Sequence, residues 1–170
     1  MTADLTVTDT LPTAGERESL LQFLARQRDL VCWKVAGCSD DAAHRTSMPS
    51  GLTMVGLVNH LTDVERSWFR EVFAGAEDLD YGWSEEDPDA EFRVDPSVSV
   101  DELITAYRTE TALCDAAIAG RGLDEMAVTR PMSLRWIIQH MIEETARHLG
   151  HLDLLRELAD GQVGQEPDTR

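Results

Sequence analysis

The stretch SLRWIIQHMIEETARHLGHLDLLRELADG, residues 133–161, sets the class of fold. At about 100° per residue around a helix axis, Ile137, Ile138, Met141, Ile142, Leu149, Leu152 and Leu155 fill one arc of roughly 140°, the pattern of a helix with one side in a core. Ser133 is placed to cap its first turn and Gly161 to stop it. His148 falls inside the apolar arc and Glu144 just beyond its edge, four residues apart on one face. His151 and His140 lie progressively further toward the polar side. A carboxylate withdrawn from water costs several kcal/mol unless it is paired or bound to a cation, so Glu144 beside a core histidine requires a partner. Two partners satisfy that requirement: a divalent metal, or a hydrogen bond at the bundle rim to His148, Arg147 or Arg135.

Three other segments repeat the helical pattern. Leu20, Leu21, Phe23, Leu24, Leu30, Val31 and Trp33 predict a first helix from about Glu16 to Ala36, ended by Gly37. A loop containing SDD and MPSG follows, with His44 in it. Leu57, Val58, Leu61, Val64, Trp68, Phe69 and Val72 predict a second helix from Thr53 to Ala74, ended by Gly75. The acidic, Pro-interrupted run AEDLDYGWSEEDPDAEFRVDPS reads as a long loop; Tyr81, Trp83 and Phe92 in it are either a wall over the site or part of a solvated connector. Ser99 and Glu102 have the spacing of a capping box, so a third helix starts there and ends near Gly120. Four long amphipathic helices, no strand run and no internal repeat predict an all-α four-helix bundle. The order is up-down with a long connection between helices two and three, where a crossover is open. One domain is expected over residues 14–161, between a flexible arm at 1–13 and a tail at 162–170.

The second helix supplies another inward imidazole. His60 borders its apolar stripe near Val64, and with Glu144 and His148 it would form a His₂Glu set with one position left open, as catalytic zinc sites have. Glu65 falls inside the same stripe, so it either accepts a ring N–H of a ligating histidine or holds an arginine or backbone group in the core. Asp63 points the other way and is expected to be solvated. His140 and His151 are either further donors to the site or solvated histidines on the helix face.

Composition excludes several functions. A formal charge of −17 over 170 residues, with Lys34 the only lysine, opposes binding to nucleic acid or to an anionic membrane surface. No run approaches the roughly 18 apolar residues of a membrane span, and the first residues lack a secretory pattern, so a cytoplasmic location is expected. Cys32, Cys38 and Cys114 are neither even in number nor in CxxC spacing and read as buried thiols. The Glu-x-x-His pairs of dinuclear carboxylate bundles are missing, as are His-Glu-x-x-His and Gly-x-Ser-x-Gly.

The stretches LTMVGLVNHLTDVERSWFREVFAG and SLRWIIQHMIEETARHLGHLDLLREL resemble the DinB-like superfamily of metal-binding four-helix proteins. They look closest to the branch with the N-terminal domain of mycothiol-dependent maleylpyruvate isomerase and the mini-circle type proteins. Many members use three histidines; the middle position here is Glu144, as in the isomerase-like branch. The resemblance implies His60, Glu144 and His148 as ligands of Zn²⁺, with Ni²⁺ or another divalent metal as alternatives. It also implies a mycothiol-type thiol cosubstrate, activated by the metal for attack on a small electrophile. The competing expectation is a non-catalytic metal-binding stress or interaction protein, and a homodimer fits both.

Overall fold

The computed structural model describes residues 5–45 and 48–164, and among them it is all-helical, with one isolated β-bridge between Met126 and Ser133. Five α-helices are present: α1 (Glu16–Val35), α2 (Asp40–His44), α3 (Met54–Glu65), α4 (Val100–Ala117) and α5 (Leu134–Asp160). Between α3 and α4 lie a π-helical segment, Arg66–Phe73, that continues α3, and a single 3₁₀ turn, Ala90–Phe92.

Local chemistry sets the ends. Thr53, Ser99 and Ser133 each accept a first-turn N–H, and Ser99 with Glu102 completes the capping box. Gly161 closes α5 at φ 77°, a left-handed turn that residues with a Cβ adopt only with strain. The short α2 occupies part of the segment that reads as loop in the sequence. Ser39 caps it, and His44 at its last position is hydrogen-bonded through Nε2 to the Val98 carbonyl, 2.8 Å away.

Side-chain contacts reveal the chain direction. Arg135 at the start of α5 pairs with Glu16 at the start of α1, while Lys34 near the end of α1 meets Asp153 near the end of α5 at 2.6 Å, so these helices run parallel. Residues 54–61 share one core cluster with residues 100–107, and Phe69, Val72 and Phe73 share the other with Cys114 and Ile118, so α3 and α4 are also parallel. His60 meets His148 and Trp68 meets Trp136, so α3 runs against α5. The bundle is therefore up-down-down-up, and the long acidic connection is the crossover left open by the sequence.

Both clusters are largely apolar, with Tyr107 in one and Phe69 and Phe73 in the other, and a few charges are buried among them. Burial opposes the Arg28 charge, but Glu65 and Asp115 outweigh it and hold the guanidinium ionised. The three cysteines are free and buried, as expected. Where it is described, the N-terminal lead-in lies against α1: the Thr8 N–H donates to Asp29 at 2.9 Å, and Leu5 and Val7 pack on the core. Residues 1–4 of the expected arm and 165–170 of the expected tail lie outside the described residues.

Candidate metal centre

The antiparallel contact of α3 with α5 brings together three side chains far apart in sequence. His60, Glu144 and His148 each offer a ligand atom, and those atoms lie within 4.8 Å of one another. Glu144 Oε1 is 3.0 Å from His148 Nε2 and 3.6 Å from His60 Nε2. Bonds of about 2.1 Å to a tetrahedral ion would separate its ligand atoms by about 3.4 Å, so this spacing is close to what a single cation needs. The side chains are 15–22% exposed, so the group is reachable from solvent.

Glu91 is the residue that sequence reasoning missed. Its Oε1 lies 2.8 Å from His60 Nδ1, so the carboxylate accepts that ring N–H and turns Nε2, the nitrogen a cation would use, toward Glu144. Phe92 stacks on the same imidazole at 4.8 Å and 23°. Glu91 and Phe92 belong to the 3₁₀ turn of the acidic connection, and several contacts bind that turn to α3. Asn59 donates to the Glu91 carbonyl at 2.7 Å, and a Cβ at Gly56 would sit 2.5 Å from the Phe92 carbonyl oxygen, so glycine there permits the approach. Asp63, expected in solvent, is instead 4% exposed and accepts from the Gly82 N–H at 2.7 Å and from Arg66 at 2.5 Å. It was misplaced because the crossover covers the side of α3 that helical spacing alone leaves outside.

Nothing in sequence distinguished Glu91 from the acids around it. Only Phe92 in that turn carried a signal, as an aromatic in an acidic loop. The rest of the connection is largely exposed, although Tyr81 donates to Glu71 at 2.6 Å and so fixes its first part to the π segment.

The remaining candidates separate into different environments. Glu65 directs both oxygens to Arg28, at 2.7 and 2.6 Å, so of its two expected roles the core ion pair is the one present, and the bond to a site histidine is corrected to Glu91. His151 is exposed, with Nδ1 3.4 Å from His148 Nδ1, within reach of the ring nitrogen that faces away from Glu144. His140 is stacked on Trp136 and meets the edge of Trp68. Arg135 pairs with Glu16 and Asp124, and Arg147 is exposed.

Electrostatics differ across the group. Burial works against protonation of His60, but Glu91 and then Glu144 outweigh it and hold the imidazole above its ordinary range. Burial and the neighbouring His60 push His148 below that range. Two imidazoles flanking one carboxylate, one of them already oriented by a second carboxylate, are a donor set suited to a divalent cation.

No curated protein sequence matches the chain. A family model described as Mycothiol-S-transferase matches residues 19–161. The matched span begins in the first turn of α1, ends at the glycine that closes α5 and contains all three residues of the cluster; the chain belongs to the mycothiol-S-transferase family.

Proposed function

We propose that this transferase is divalent-metal-dependent and activates a low-molecular-weight thiol of the mycothiol type at His60, Glu144 and His148 for attack on a small electrophile. The observation that carries the reading is the convergence of the three donor atoms within 4.8 Å, on side chains that solvent still reaches. Within the DinB-like superfamily, Glu144 at the middle ligand position supports a place near the maleylpyruvate isomerase and mini-circle branch. Zn²⁺ is the preferred ion on donor type, two imidazoles and one carboxylate. When bound, such a cation lowers the pKa of a thiol and makes a nucleophilic sulfur available at neutral pH.

The chain's own residues make that chemistry specific. Glu91 holds the His60 ring in one tautomer and one orientation. Phe92, flat against that ring, keeps water from one of its faces. Glu144 would offset part of a divalent ion's charge, so the site would keep a single net positive charge that favours an anionic sulfur. The buried thiols are poor nucleophiles here: burial and the nearby Glu65 push Cys114 far up, and burial also raises Cys32 and Cys38.

No helix among the described residues is long and apolar enough to cross a membrane, and a cytoplasmic homodimer is part of the proposal. Elemental analysis of the purified protein, followed by calorimetric titration of mycothiol into wild type and Glu144→Ala, tests the reading. Bound metal and thiol affinity in wild type, both lost in the variant, are expected. Stoichiometric metal with no thiol affinity in wild type would overturn it.

A further inference from the structure

Beside the metal centre, on the same flank of α5, stands a group of rings that the three-ligand site does not use. Trp136, His140, Glu144 and His148 follow one another at four-residue intervals along the helix. The Trp136 and His140 rings are stacked, with centroids 5.1 Å apart and planes 19° from parallel. Trp68, brought in by the π segment that continues α3, meets His140 edge-on at 4.7 Å and Trp136 at 5.6 Å. The Arg130 guanidinium lies 5.9 Å from the Trp68 ring. A core role would bury Trp136, yet it is 46% exposed. A half-exposed tryptophan ordered against two further rings, one to two helical turns from a polar donor cluster, is a feature of ligand recognition rather than of folding.

We propose that Trp136, His140 and Trp68 form a stacking platform for the sugar part of the thiol cosubstrate, an assignment that rests on the functional reading above. Mycothiol carries its cysteinyl thiol on a glucosamine–inositol glycoside. The C–H faces of such rings are apolar and their rims are hydroxylated, so they pack on aromatic planes while their hydroxyls meet polar neighbours such as Arg130. The dimensions agree. His140 lies one helical turn, about 6 Å, and Trp136 two turns, about 12 Å, from Glu144 along α5. An extended cysteinyl arm spans roughly 6 Å. With the sulfur held near Glu144, the glucosamine ring would come within reach of His140 and Trp68, and the inositol ring within reach of Trp136. An uncharged polyhydroxylated group also suits a strongly acidic protein better than an anionic one does.

The test uses the metal-loaded full chain and three probes: mycothiol, free L-cysteine, and the glucosaminyl-inositol glycoside without cysteine. Binding is read by tryptophan fluorescence and by saturation-transfer NMR of the sugar protons. Trp136→Ala is expected to weaken mycothiol and the glycoside roughly tenfold, with L-cysteine unaffected and Trp136→Phe near wild type. Equal affinity of wild type and Trp136→Ala for mycothiol would overturn the platform while leaving the metal–thiol reading intact. Wild type that binds no mycothiol at all would overturn both. Loss of a dimer on Trp136→Ala, with glycoside binding unchanged, would assign the rings to a second copy of the chain and overturn the proposal.

Discussion

At the residue scale, Glu91 governs how ready the centre is for a cation. Its hydrogen bond to His60 fixes which nitrogen faces Glu144. Glu91→Gln keeps the size but weakens the acceptor, and removal of such an orienting carboxylate typically costs 10–100-fold in metal affinity, about 1.4–2.7 kcal/mol. Competition against a fluorescent chelator should show that loss while the melting temperature of the metal-free protein barely changes; unaltered affinity would remove Glu91 from the site. Arg28 is the opposite case. It lies in the core between Glu65 and Asp115, so Arg28→Ala leaves Glu65 buried without its cation and should cost about 3–5 kcal/mol. Urea unfolding measures this, and a loss under about 1 kcal/mol would mean that the pair is replaceable.

At the scale of elements, the crossover is a strap laid along α3. It reaches His60 because α3 has no side chain at Gly56, where a Cβ would meet the Phe92 carbonyl. Gly56→Ala should therefore displace the 3₁₀ turn and weaken metal binding, although the substitution raises helix propensity. Chelator competition alongside far-UV circular dichroism separates the two effects; full metal affinity in Gly56→Ala would show that the turn adapts. The end of α5 supplies a pH prediction. Burial opposes ionisation of Asp160, but Arg156 and then the Gln162 N–H outweigh it and hold the carboxyl below its ordinary value of 3.8. A depressed folded pKa adds stability above the unfolded value, and that stability disappears as pH falls through the folded one. Wild type should thus lose stability below about pH 4 more steeply than Asp160→Asn, as read by urea midpoints across that range. Parallel curves for the two proteins would exclude the linkage.

For the whole molecule, the centre lies between helices whose packing does not need it. Two apolar clusters, one toward each end of the bundle, tie α1, α4 and α5 to α3 and its π continuation. Metal removal should leave the helical circular dichroism in place and lower only the stability, because an ion bound by the native state alone adds RT ln(1 + [L]/Kd), about 2.7 kcal/mol at a hundredfold excess over Kd. Thermal unfolding with and without chelator measures this. Collapse of helicity in the metal-free protein would make the ion structural, in conflict with a transferase role.

The linear order of residues was enough for the four long helices, because apolar spacing, Ser99 with Glu102, Ser133 and Gly161 are local signals that act wherever the chain goes. It was also enough to nominate His60, Glu144 and His148, since His148 falls within an apolar stripe and Glu144 and His60 lie at the edges of theirs. Tertiary structure decided what local signals cannot carry: that α3 and α4 run parallel, that Asp63 is covered, and that Glu65 meets Arg28 while Glu91 meets His60. Those outcomes depend on where a long acidic crossover returns across the bundle. Its path is set by shape at Gly56 and by hydrogen bonds to Asn59 and Asp63, contacts between residues some 19 to 36 positions apart that no helical period encodes.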